Sequence, residues 1–254
     1  MDIKILGCYG NIIGKYRATS FLINNALLLD AGTTTEVLDD RQLGQIKNVV
    51  ISHTHIDHVK GIFPLIDELV TMNKKGITLS STGQALDIIS KNLFNNLIWP
   101  DFTAIPSINN AVVKFNEIEL EKETRFGEIT IKPILVTHTV YTTGFVIREG
   151  SRGFMFTADT GPTKRFWEAA KQEKGVELII ADVSFPNRLG DLAKSSGHMT
   201  PSTLIEHIDR FGLGSMPVYI NHIKPIFLNE ITDELRLSGR KNIKPLRQGT
   251  VFNL

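Results

Sequence analysis

Residues 53–58 read His-Thr-His-Ile-Asp-His, three imidazoles and a carboxylate within six positions. They follow directly on the apolar run Val49-Val50-Ile51. Imidazole nitrogen and carboxylate oxygen together suit zinc and other borderline divalent cations. The whole chain holds seven histidines among 254 residues, so three this close set the segment apart from a scatter of surface imidazoles. On a strand continuing from Ile51, His53 and His55 would point to one side. A turn after them would swing Asp57 and His58 toward a second position. One short segment could then supply two donors to each of two ions.

A two-ion site needs further donors from afar. Three apolar runs each end in a suitable residue: "KPILVT" before His138, "GFMFTA" before Asp159 and "PVYIN" before His222. Functional side chains commonly sit on loops where the strands of a rigid sheet end. Taken singly, each of the three could be a strand-end turn or a core residue. Together they complete a set: His53, His55 and His138 for one ion, Asp57, His58 and His222 for the other, and Asp159 between them. Paired divalent ions, about 3.5–4 Å apart in such sites, activate water at neutral pH and clamp attacking and leaving oxygens. A phosphoester, lactone, thioester or β-lactam would all suit that chemistry. The mixed donors admit zinc, manganese or iron.

The elements that must hold these residues alternate along the chain. Short apolar runs interleave with helical patterns, which points to an α/β fold. "SFLINNALLLDAG" predicts a hairpin turning at Asn24-Asn25, because asparagine tolerates the positive φ of a tight turn. "NVVISH" reads as a strand covered on both faces. Leu65, Leu69 and Met72 recur on one helical face, as do Leu86, Ile89 and Leu93. Residues 163–175 read as a helix ending in glycine. In "TPSTLIEHIDRFG", Thr200 caps, Pro201 opens and Gly212 closes a further helix. "GFVIRE", "GFMFTAD", "ELIIADVS" and "PVYINH" add strands. No linker interrupts the chain, and one domain over residues 1–254 is expected.

Composition narrows the function. Lys+Arg total 28 and Asp+Glu 27, a formal net charge of +1, so the basic excess of a protein that grips long nucleic acid is missing. Cys8 is the single cysteine, which excludes an intrachain disulfide and a cysteine-rich zinc ribbon. No apolar run of membrane-spanning length occurs, and "MDIKILGCYG" lacks a signal-peptide pattern, so a cytoplasmic protein without a membrane partner is expected.

His198 lies in "GHMTP", just ahead of the capped helix start. A histidine there faces the positive end of a helix dipole, where anions collect. It could protonate a leaving oxygen or hold a phosphoryl oxygen. The His-x-His-x-Asp-His motif, with His138, Asp159 and His222 at later strand ends, resembles the metallo-β-lactamase superfamily over nearly the whole chain. "SHTHIDHVKG", "SFPN", "GHMTP", "ATSFLINNALLLDAG", "NLFNNLIWPDFT", "DTGPTKRFWE" and "HIKP" look like its bacterial class II 3′,5′-cyclic-nucleotide phosphodiesterases. The resemblance implies an αββα sandwich of two mixed β-sheets flanked by helices, with a dinuclear site at one edge. It implies two divalent metal ions, foremost Zn2+ with Mn2+ or Fe2+ as alternatives, and the ligand roles given above. The implied substrate is a small cyclic nucleotide, cAMP or cGMP, hydrolysed to the 5′-monophosphate. His198 would then protonate the leaving 3′-oxygen, with Asp57 and Asp182 completing the catalytic set. His55 stands where flavodiiron relatives carry a carboxylate, which favours hydrolysis over redox chemistry. Asp182 stands where many relatives carry glutamate. A tRNA 3′-end endonuclease, a lactonase or a thioesterase of the same fold are the alternatives. The endonuclease would need a basic RNA-gripping arm, and none is evident. The resemblance also admits a homodimer.

Asp30, in "LLLDAG", could orient a ligand histidine or the metal loop, and Asp182 could hydrogen-bond His198. Trp99, Phe102 and Phe185 offer flat faces for a nucleobase, though such rings equally fill a core or a dimer contact. Arg188 and Lys224 could touch phosphate. His207, mid-helix, and Cys8 read as packing residues.

Overall fold

In the N-terminal strands, alternate apolar side chains go to opposite sides of one sheet. Ile3 and Ile5 of β1 (Asp2–Gly7), Phe21 and Ile23 of β2 (Ser20–Ile23), and Leu27 and Leu29 of β3 (Leu27–Leu29) enter one large core. Leu6, Leu22 and Leu28 enter a second, separate core. The two-residue period of a strand causes the split. Cover on both faces explains why these runs are apolar throughout. Asn24 and Asn25 turn β2 into β3 with φ of 46° and 55°, the predicted hairpin.

The computed structural model describes residues Met1–Leu254. The first sheet continues through β4 (Asn48–Val50), β5 (Ile77–Ser81) and β6 (Val113–Glu117), all parallel to β3. The second sheet takes β7 (Thr124–Phe126), β8 (Ile129–Val136), β9 (Thr142–Glu149), β10 (Arg152–Phe156), β11 (Val176–Asp182), β12 (Val218–Asn221) and β13 (Ile243–Pro245) in spatial order. β14 (Val251–Asn253) returns to pair outside β1, so each sheet has seven strands. In each sheet an antiparallel meander gives way to parallel pairs. The larger core lies between the sheets, where the Phe21 and Phe156 rings meet edge to face at 5.1 Å.

Helices cover the outer faces. On the first sheet, α1 (Asp40–Leu43), α2 (Ile56–Val59), α3 (Ile62–Thr71) and α4 (Gly83–Asn92) close the smaller core with Leu43, Val59, Leu65, Leu69, Leu86 and Ile89. On the second, α5 (Lys164–Gln172) buries Phe166 and Trp167, α6 (Gly190–Ser195) leads to α7 (Pro201–Arg210), and α8 (Leu228–Leu237) buries Ile231 and Leu235. Two mixed sheets flanked by helices are the architecture that the resemblance implied. No helix is long and apolar enough to cross a membrane.

One local expectation differs. β4 ends at Val50, and His53 and His55 do not continue it. The Ser52 amide donates to the Asp30 carboxylate at 2.8 Å instead of to a neighbouring strand, which releases the chain from the sheet. His55 is already the N-cap residue of α2.

Candidate metal centre

The chemistry-bearing residues lie beyond the carboxyl ends of strands in both sheets. Asp30 follows β3, the run from Ser52 to His58 follows β4, and His138 follows β8. Asp159 lies just past β10, Asp182 ends β11, and His222 follows β12. His198 lies between α6 and the Thr200 cap of α7. Asp30, Ala158 and His222 adopt φ of 52°, 54° and 66°, the left-handed region. Each such residue costs about 1–3 kcal/mol and persists only where its surroundings over-determine it. These bends turn the strand-end side chains inward.

Three groups of donor atoms result, each within 4.8 Å of one another: His53, His55, His138 and Asp159; Asp57, His58 and His222; and Asp159, His198 and His222. Asp159 stands between the first two. Its carboxylate lies 3.7 Å from His53 Nε2, 3.4 Å from His58 Nε2 and 3.1 Å from His222 Nε2. His222 Nε2 is also 3.2 Å from Asp57 Oδ2, and His138 Nε2 is 3.2 Å from His55 Nδ1. His53 Nε2, His58 Nε2 and Asp159 Oδ1 are buried without a hydrogen-bond partner. A buried polar atom left so costs about 1–3 kcal/mol. Three of them converging, with nitrogen and oxygen donors only, fit a bound divalent cation.

What points these nitrogens inward is a device present once on each sheet. Asp30 accepts from His58 Nδ1 at 2.8 Å and from the Ser52 hydroxyl at 2.8 Å. With its proton given to Asp30, the Ser52 oxygen can only accept from His53 Nδ1, 3.0 Å away. On the second sheet Asp182 accepts from His198 Nδ1 at 2.7 Å and from the Ser184 hydroxyl at 2.8 Å. The Ser184 oxygen then accepts from His222 Nδ1 at 2.9 Å. His138 Nδ1 donates to the Gly197 carbonyl at 2.8 Å. In each of these rings, when neutral, Nδ1 carries the proton and Nε2 presents the lone pair. Gly197 has φ of 69°, and a Cβ there would sit 2.8 Å from His138 Nδ1, so only glycine fits. Ser52 and Ser184 were not singled out from the sequence. The signal was available: Ser52 immediately precedes the histidine motif, and Ser184 lies two residues past Asp182.

Electrostatics divides the histidines. Burial lowers His53 well below its ordinary pKa and also lowers His55 and His138, keeping them neutral donors. Burial opposes charge on His58 too, but Asp159 and Asp30 on either side outweigh it and raise that group. His198 behaves alike: burial is opposed and overcome by Asp182, and its pKa rises. Burial would lift Asp57 and Asp159, yet the surrounding imidazoles hold both below the usual carboxylate range.

The remaining expected residues divide. Phe185 packs on the His198 ring at 5.9 Å, and Lys224 stands 5.5 Å above Phe185. Lys224 donates to the Gly10 carbonyl and has no carboxylate partner. Arg188 is different: its guanidinium is held by Glu230 in two hydrogen bonds, 2.7 and 3.2 Å, which spends the charge expected for phosphate. Phe102 is only 6% exposed within the smaller core, and Trp99 packs at a tilt on Phe63 in that layer. The Phe102 ring fills the space under the helices, and Trp99, half-buried, packs against the same layer. His207 donates to the Thr203 carbonyl within its own helix, and Cys8 is buried with its pKa pushed up to about 12 by desolvation. Both are packing residues.

A family model described as the beta-lactamase superfamily domain matches residues 25–223, and the chain belongs to that family. The probable 3′,5′-cyclic-nucleotide phosphodiesterase of Yersinia pestis is 27% identical over 206 residues, 72% of this chain and 58% of that protein. The 3′,5′-cyclic-nucleotide phosphodiesterase 1 of Saccharomyces cerevisiae is 26% identical over 240 residues, 80% of this chain and 64% of that protein. The chain thus spans 58% and 64% of the length of these two relatives. The crystal structure of unliganded yeast PDE1 superposes with a TM-score of 0.84 at 18% identity, covering 100% of this chain and 99% of that one. At that identity the likeness shows the fold alone, the metallo-β-lactamase sandwich.

Proposed function

We propose that the protein is a metal-dependent phosphodiesterase that hydrolyses 3′,5′-cyclic nucleotides to 5′-monophosphates. His53, His55 and His138 would hold one divalent ion, Asp57, His58 and His222 a second, with Asp159 between them and zinc the simplest choice for both. Such ions, when bound, acidify a water and neutralise charge on phosphate oxygens.

The observation that carries the reading is the His198–Asp182 pair beside Asp159 and His222. The 3′-oxygen of a ribose is a poor leaving group and needs a proton as its bond to phosphorus breaks. Protonated His198 keeps Nδ1–H on Asp182 and has Nε2–H to give, and its raised pKa favours that form. Water oxygen bonds to phosphorus, the 3′-oxygen departs with the His198 proton, and the phosphate stays on the 5′ carbon. Lys224, lacking a carboxylate partner, has charge to offer a phosphoryl oxygen, and Phe185 buttresses the His198 ring. The activities for which the two relatives are named support the cyclic-nucleotide choice. The test is product analysis on zinc-loaded protein given cAMP, cGMP, a lactone and precursor tRNA side by side. The expected result is 5′-AMP from cAMP. Turnover of only the lactone or the RNA overturns the proposal.

A further inference from the structure

On the flank of the metal centre lies a cavity of about 530 Å³, between the segment Tyr9–Tyr16, α8 and the turn that precedes β14. Its charge is one-sided. Lys15 and Arg247 line it, no carboxylate does, and neither cation has an ion-pair partner. The acids of α8 are engaged elsewhere: Glu230 with Arg188, Asp233 with Arg236, and Glu234 with the Asn187 amide. Gln248 braces the wall, accepting from the Arg17 amide and donating to the Lys15 carbonyl. The Tyr9 and Tyr16 rings meet edge to face at 4.7 Å, and the Lys15 ammonium lies 5.8 Å from the Tyr16 ring centre. Asn229, exposed, also lines the cavity, and its side-chain amide has no partner within the protein.

Unpaired cations favour a phosphate, aromatic walls favour a flat ring, and a free amide favours a polar ring edge. The volume falls in the range of small-molecule sites, roughly 300–1,000 Å³. We propose that this cavity binds a nucleoside monophosphate at a site separate from the metal centre, with Lys15 and Arg247 on the phosphate and Tyr16 and Asn229 on the base. The two sites share a wall. Tyr9 bridges to Ile223, next to His222, and a Cβ on Gly10 would sit 2.7 Å from His222 Nδ1. A ligand in the cavity therefore bears on the same segment that backs His222.

The binding does not depend on turnover at the centre, so the test is made by titration. 5′-AMP is added to zinc-loaded, isotope-labelled protein and amide chemical shifts are followed. Saturable shifts at Tyr16, Asn229 and Gln248 are expected. Adenosine should bind there about tenfold more weakly or worse, and Lys15→Ala/Arg247→Ala should weaken AMP by a similar factor. In the double variant the AMP-induced shifts at Phe185 and His198, beside the metal centre, should keep their wild-type midpoint, which separates the cavity from binding at the centre. Absence of saturable shifts in the cavity overturns the proposal. So does adenosine binding as tightly as AMP, a double variant that binds like wild type, or a double variant that loses the shifts beside the centre as well.

Discussion

At the scale of single residues, the centre rests on where protons sit. His198→Ala leaves the Asp57, His58 and His222 group and the His53, His55 and His138 group untouched. Cation content should therefore stay at the wild-type level while kcat for cAMP falls by about 10²–10⁴-fold. Metal analysis beside the rate assay checks both halves, and loss of bound cation would make His198 a ligand and not the acid. Ser184→Ala removes the oxygen that accepts from His222 Nδ1. The ring is then free to rotate or change tautomer, and cation affinity should drop about 10–100-fold in competition with a chelating dye. An unchanged affinity would remove the positioning role. The donor residues were legible in the sequence because four of them are crowded into six positions. Ser52 and Ser184 stand close to motif residues, but serine is common, and their roles show only once folding brings Asp30 against Ser52 and His222 against Ser184. The aromatics failed for a related reason: Trp99 and Phe102 have the right chemistry for a base, and only packing against Phe63 and its neighbours shows that they serve the helical layer.

At the scale of elements, strand ends aim the side chains and helix ends are tied to the sheets. Glu173, directly after α5, pairs with Lys132 of β8 and with Arg148 of β9, the latter at 2.5 Å. Burial would raise its pKa, but the hydrogen bonds from Lys132 and Arg148 outweigh burial and hold it below the ordinary glutamate value. A depressed folded pKa adds stability that is fully present above the unfolded value and disappears as pH falls through the folded one. Glu173→Gln should thus cost about 1 kcal/mol at pH 7. The gap between the melting curves of the two proteins should close in acid, below the folded pKa. A gap that persists there would mean that packing, not the charge pair, holds α5. The Asn24-Asn25 hairpin and the capped α7 were readable because turn and cap chemistry is local. β13 and β14 were not: each has three residues with no usable period, and β14 is recruited by β1 from the far end of the chain.

At the scale of the whole molecule, the donors are divided between two independently hydrogen-bonded sheets. His53, His55, Asp57 and His58 come from the first, and His138, Asp159 and His222 from the second. Stripping the cation should lower the melting temperature, since a ligand bound only by the native state stabilises it by mass action. Calorimetry before and after chelation measures this, and an unchanged midpoint would show that no tightly held cation is there. The sandwich itself was foreseeable from the motif's resemblance, whereas composition alone would not have fixed it.

The Phe21–Phe156 contact, buried midway between the layers, acquires an unexpected use from that division. Shaving one ring, as in Phe21→Leu, alters no donor, yet it lets one slab settle against the other by fractions of an ångström. Zinc affinity then becomes a ruler for layer spacing: it should weaken in this variant more than in one trimmed under the outer helices, such as Leu69→Ala, even where both lose equal stability.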